Sequence, residues 1–332
     1  SRAWGVVERA CEEEYYLPGT VATDPVEPLH FVPQIYCTAF ASSPDQYNRF
    51  FQALATTPKY ISIYTTGYGV WSVPNSNDLA TPKAQLGRDV AWWWNYPCND
   101  NADAQIFPMD MYTNFYDMPQ VNAQAKLPSQ LVGGIGIVSN PMQQGEVAKT
   151  PIFSVADYAW NNSGFDNKAS WQASFQAVLP HNAQAAEAYQ AIAPYLTYND
   201  PDSFGTLISQ YKKNKETTEL MAALNNIVAN AEVLIALKDS EVESDRLLYK
   251  DLKPWLLKLH AMASVTASYL SGSVNEGSSD EDIWDNYLQS LRATLNLDSE
   301  EDFKAYALEG MGNAISVSVR TSQPAARYLL PF

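Results

Sequence analysis

Short apolar runs closed by polar or turn residues recur through the first half of the chain. They are PLHFVPQIY (28–36), KYISIYTTG (59–67), DVAWWWNYP (89–97), LVGGIGIVSNP (131–141) and TPIFSVADYAW (150–160). Apolar and polar positions alternate little within them. Stretches with helical spacing separate some of them, DQYNRFFQALATT after the first and SWQASFQAVL after the last. Unalternating strands divided by helices predict parallel strands buried on both faces. That pattern suits a doubly wound sheet or part of a (β/α)8 barrel. The runs close on Tyr36, on Thr66 and Gly67, on Asn95 to Asp100, and on Asn140 and Pro141. In a barrel that edge is where sites are built.

From about residue 183 the period changes. TTELMAALNNIVANAEVLIALK sets Leu220, Leu224, Ile227, Ala231 and Leu234 at helical spacing, one apolar stripe. YKDLKPWLLKLHAMASVTASYL follows a loop rich in Asp, Glu and Ser, which places Pro254 in the first turn of a helix. Asp280 to Leu295 and Asp298 to Met311 each open on acidic residues, which suit the positive end of a helix. The chain divides into a mixed α/β part, 1–182, and an antiparallel helical bundle, 183–332. GSVNEGSSDED (272–282) is the loosest connection, and no repeat of fixed period is evident.

Composition narrows the function. Apolar residues make up 46% and charged residues 17% of 332, enough for a sizeable core and against disorder. A net charge of −16 argues against nucleic acid and anionic membranes as partners. The cysteines Cys11, Cys37 and Cys98 lie far apart, as do His30, His181 and His260, so no metal site is expected. SRAWGVVERACEEEYYL has no apolar core of a signal peptide, and no unbroken apolar run reaches membrane-spanning length, so no transmembrane segment is expected.

The three tryptophans of VAWWWNYPCND (90–100) are the strongest chemical signal. A Trp triplet most often serves packing. Strand alternation, however, puts Trp92 and Trp94 on one side, with Trp93 and Asn95 sharing the other. Asp100 lies in the loop just beyond. An aromatic wall stacks on the apolar face of a pyranose, while an amide and a carboxylate fix its hydroxyls. TTGYGV (65–70) is no phosphate loop, since no Lys-Ser or Lys-Thr follows it. Glu12 to Glu14 suit a solvated helix face, and no nucleophile elbow is present. Two carboxylates placed at a strand end to flank an anomeric carbon are also missing, because Asp100 and Asp103 share one Asn/Asp-rich loop.

Together these motifs resemble glycoside hydrolase family 84, the β-N-acetylglucosaminidases that include O-GlcNAcases and hyaluronidase-like enzymes. PQIY (33–36) resembles the family's fifth-strand motif. ISIYTTGYGV (61–70) resembles the sixth, with Thr65 where Trp is usual. VAWWWNYPCND resembles the seventh closely. GIVSNPMQQGEVAK (136–149) resembles the eighth, with Gln144, Gly145 and Glu146 where His-Ala-Glu is usual. SVADYAWN (154–161) resembles the helix that follows, and the likeness covers roughly residues 28 to 180.

The resemblance implies the second half of a (β/α)8 TIM barrel, strands five to eight within 1–182, followed by an α-helical bundle domain. It implies substrate-assisted retaining removal of N-acetylglucosamine from a glycan or glycoprotein, with no cofactor. Tyr36 would steady the acetamido group, Thr66 and Val70 would shape the pocket for its methyl, and Trp93 would close that pocket. Asn95 would meet the acetamido or catalytic carboxylate region, while Asp100 and Asn140 would bind hydroxyls. The family's adjacent Asp pair belongs at the end of the fourth strand, ahead of PQIY, and has no counterpart here. A companion segment is therefore expected to supply strands one to four and the acids. The alternative is a non-catalytic N-acetylglucosamine-binding or scaffold protein. The acidic balance favours a secreted or cell-surface bacterial setting.

Overall fold

The computed structural model describes residues 30–31, 44–59, 61–67, 69, 72–98, 106, 134–196 and 204–271. The chain forms two compact units, one of Ser1–Asn95 with Leu127–Val138, the other of Tyr96–Lys126 with Ser139–Phe332.

The sheet of the first unit runs through β1 (His30–Phe31), β2 (Ser62–Thr65), β3 (Val90–Trp94) and β4 (Gly134–Ser139), in that spatial order. β1 pairs with β2, and β2 with β3, in parallel; Tyr64 stands opposite Ala91 and Thr65 opposite Trp92. Parallel neighbours need crossovers. α1 (Pro44–Ala55) and α2 (Ser76–Leu86) supply them and pack on each other. Ile63, Tyr64, Val90, Ala91, Trp92 and Trp94 are buried, as the unalternating runs predict. β4 departs from this: Ile135 is 55% exposed and Val138 36%.

Local chemistry fixes α2. The side chain of Asn75 accepts from the Asp78 backbone N–H at 2.9 Å and donates to the Asp78 carboxylate at 3.0 Å. At the other end Gly87 takes φ 61° and its N–H returns to the Lys83 carbonyl at 2.9 Å. Asn75→Ala is expected to cost about 1 kcal/mol, the usual worth of such a cap, read as a shift of the urea midpoint. Arg88 follows Gly87 and its guanidinium reaches back to the end of α1, bonding the carbonyls of Leu54 (2.9 Å), Thr57 (3.2 Å), Pro58 (2.9 Å) and Ile61 (3.2 Å), and the Thr57 hydroxyl.

The second unit is helical over its described residues: α3 (Gly145–Trp160), α4 (Asn167–Val178), α5 (Ala183–Leu196), α6 (Phe204–Asn214), α7 (Thr218–Ile235) and α8 (Glu243–Leu270). A 3-10 turn, Ala236–Asp239, ends α7. α7 packs on α5 and α8, α4 on α3 and α5, and α8 also meets α3. The stripe of Leu220, Leu224, Ile227, Ala231 and Leu234 is buried throughout. Trp171, Phe175 and Tyr189 join α4 to α5 edge to face, with centroids 4.9 and 5.0 Å apart. Thr218–Asp239 is long and apolar enough to cross a membrane, with a mean hydropathy of 1.6. Its one apolar stripe is buried, while about two thirds of its apolar window is not.

Two expectations need correction. TPIFSVADYAW, grouped with the strands, forms the body of α3. Val147, Ala148, Pro151, Ser154, Val155 and Tyr158 are buried at intervals of three and four, so the helical period decides over the β-branched content. Pro254 does not open its helix either, because α8 begins at Glu243. The Asp-, Glu- and Ser-rich stretch is the helix start. Ser240 Oγ accepts from the Val242 N–H at 3.1 Å and donates to the Asp245 carboxylate at 2.8 Å. Cys98 is buried. Cys11, Cys37, the connection 272–282 and the helices expected at 280–295 and 298–311 lie outside the described residues.

Candidate functional site

In the first unit the site is organised by the C-terminal ends of β2 and β3. Trp92 is fully buried and Trp94 nearly so, whereas Trp93 on the opposite face is half-buried. Trp93 and Asn95 share that face, and the indole Nε1 donates to the Asn95 side-chain oxygen at 2.8 Å. An indole N–H can only donate, so this bond settles which end of the amide it meets.

Thr66 stands one residue past β2, and the β2–β3 register continued by one residue sets it beside Trp93. It is buried, yet its hydroxyl has no hydrogen-bond partner among the described residues. A buried orphan hydroxyl costs free energy unless something else satisfies it. Next comes Gly67 at φ 83°, lying directly against the Trp92 indole. Its N–H is held by the Thr65 hydroxyl at 3.1 Å. Close approach of backbone and ring at this point locks Thr66 at the rim of the sheet.

Asn140 belongs to the second unit. It is half-buried and follows β4 directly. Ser139, before it, donates its hydroxyl to the Tyr96 carbonyl. Two residues after Asn140, Met142 is buried at 4% exposure, and α3 begins three residues later. Tyr36, Val70 and Asp100 lie outside the described residues.

A family model for β-N-acetylglucosaminidase matches residues 16–193, more than half of the 332-residue chain. The chain belongs to the β-N-acetylglucosaminidase family. All seven candidate residues fall within the matched span. Three solved structures of this lineage share the fold. CpGH84D is 20% identical with a TM-score of 0.63, the match covering 90% of this chain and 47% of that one. CpGH84B is 18% identical with a TM-score of 0.54, covering 87% and 50%. A mutant of the Thermobaculum terrenum O-GlcNAc hydrolase is 16% identical with a TM-score of 0.54, covering 88% and 60%. The chain thus spans about half the length of the solved structures it matches.

This β-N-acetylglucosaminidase family chain comes from a hydrolase lineage. Two residues escape sequence reasoning, Arg88 in the first unit and Asp251 of α8 in the second. Gly67 carried a faint signal, a glycine closing a strand. Arg88 and Asp251 act on backbone groups far away in sequence, and neither has a local motif.

Proposed function

We propose that this chain is the substrate-holding part of a β-N-acetylglucosaminidase that removes terminal N-acetylglucosamine from glycans or glycoproteins by substrate-assisted retaining hydrolysis. The observation that carries this reading is the Trp93–Asn95 bond, in a chain that the family model covers through both residues. It holds an aromatic face and an oriented amide together on one side of a strand. A pyranose ring stacks on the first and hydrogen-bonds the second. On this reading Thr66, whose buried hydroxyl has no partner among the described residues, and Val70 serve the methyl of the acetamido group, and Tyr36 steadies that group. Asp100 and Asn140 take hydroxyls.

In the reaction, the acetamide oxygen of the substrate attacks the anomeric carbon as the aglycone oxygen leaves with a proton, giving an oxazoline. Water then opens the oxazoline. One Asp polarises the amide nitrogen, while its neighbour donates the proton and later takes one from water. Those acids, with barrel strands one to four, come from a companion segment. β4 supports this part of the reading, since among the described residues it is the last strand of the sheet, with Ile135 and Val138 exposed. Parallel barrel strands are covered on both faces and paired on both edges.

The test is hydrolysis of a fluorogenic N-acetyl-β-glucosaminide, with N-acetylglucosamine binding measured beside it. Turnover by the completed protein, with binding alone for this chain, is the expected pair of results. Binding without turnover even in the completed protein makes it a sugar-binding scaffold instead. Asn95→Ala and Asn140→Ala should each weaken binding by about 1–3 kcal/mol, the penalty for leaving polar groups unpaired. Calorimetric titration checks this, and unchanged affinity in both removes the site.

A further inference from the structure

The turn that carries Asn140 ends at a helix with an unusual start. Gln144, at the N-cap of α3, contributes no side-chain hydrogen bond to the first turn. The first backbone N–H groups of a helix have no partners within it and need one from outside. Here that partner is Asp251 of α8, whose Oδ2 accepts from the Glu146 N–H at 2.8 Å. The Val147 N–H comes next in the same first turn, and Val147 is itself fully buried, out of reach of water.

The acid sits in apolar company on α8, where Leu248, Leu252 and Trp255 are buried. Burial pushes its carboxyl above the usual range, and Glu146 adds to this, while the two backbone N–H groups and Lys250 pull it down. Glu146 is paired with Lys149 on its own helix. A carboxylate at this place is costly as packing, and its compensation is the positive end of α3. The segment between Ser139 and Gly145 is thus tied at one end to Tyr96 and at the other to α8.

We propose that Asp251 is a positioning residue for Asn140: by capping α3 from the bundle, it holds the Asn140 turn in its binding geometry. The helical bundle then takes part in substrate binding without touching the substrate. This rests on the reading that Asn140 binds a sugar hydroxyl.

The experiment combines hydrogen exchange with N-acetylglucosamine titration on the full chain carrying Asp251→Ala, Asp251→Asn or Asn140→Ala. Asp251→Ala should speed exchange of the Glu146 and Val147 amides about tenfold, the worth of one cap. Amides of α5 should stay unchanged, and sugar affinity should fall by a similar factor. Asp251→Asn keeps an acceptor oxygen and should restore most of both. Unaltered exchange at Glu146 and Val147, or exchange that rises equally in α5, overturns the proposal. So does unchanged affinity in Asp251→Ala where Asn140→Ala weakens binding. If Asn140→Ala itself leaves affinity unchanged, the sugar-site reading fails, and the functional part of the proposal falls with it.

Discussion

Gly67→Ala should lower stability by about 3 kcal/mol, combining a strained left-handed backbone with an overpacked contact. The residue sits at φ 83°, where a side chain is strained whatever the space around it. Space is lacking too: an added Cβ would lie 2.5 Å from Trp92 Cη2, 2.7 Å from Cζ2 and 2.8 Å from the Ser72 Cβ. None of these neighbours yields easily. Trp92 is fully buried in β3, and the Ser72 hydroxyl accepts from the Gly69 N–H at 2.8 Å. Either the indole moves, disturbing the strand that carries Trp93, or the chain at Thr66 moves. Urea denaturation followed by tryptophan fluorescence measures the cost. A loss under about 1 kcal/mol would mean that neither constraint holds.

Arg88→Ala should be about as damaging, at roughly 3 kcal/mol, because it strips a charged donor from four carbonyls at once. The guanidinium does for α1 what a C-terminal glycine often does, taking up carbonyls that the last turn leaves free. It also binds the Ile61 carbonyl at 3.2 Å, at the entry to β2, and it precedes β3 by two residues. One side chain therefore registers a helix end against the starts of two strands. Burial lowers the guanidinium's pKa. Arg88→Lys keeps the charge and loses the planar fork, so it should recover less than half of the stability. Equal stability of Arg88→Lys and wild type, by the same denaturation, would show that charge alone matters.

These two residues also mark how far the sequence can be read. Strand alternation at VAWWWN put Trp93 and Asn95 on one face, and their 2.8 Å hydrogen bond follows from that. The helical period placed all five buried positions of α7. The same period is present in TPIFSVADYAW, whose Ile, Phe and Val equally suit a strand, and only the likeness of SVADYAWN (154–161) to a helix points the right way. Sequence patterns record which residues repeat along one element. They carry little trace of a side chain that closes a backbone gap elsewhere. Arg88 reaches Leu54 across 34 positions, and Asp251 reaches Glu146 across 105. Nothing in the neighbouring residues of either announces the partner.

β4 has a practical consequence for anyone handling this chain. Among the described residues β4 is the last strand of the sheet, with Gly134 and Gly136 giving no side-chain cover and Ile135 and Val138 adding apolar surface. Such an edge accepts any strand of suitable register, including one from another copy. A net charge of −16 sets copies of the chain to repel one another. Concentrated salt screens that repulsion and strengthens apolar association, so precipitation from crowded, high-salt solution is the behaviour this strand builds in.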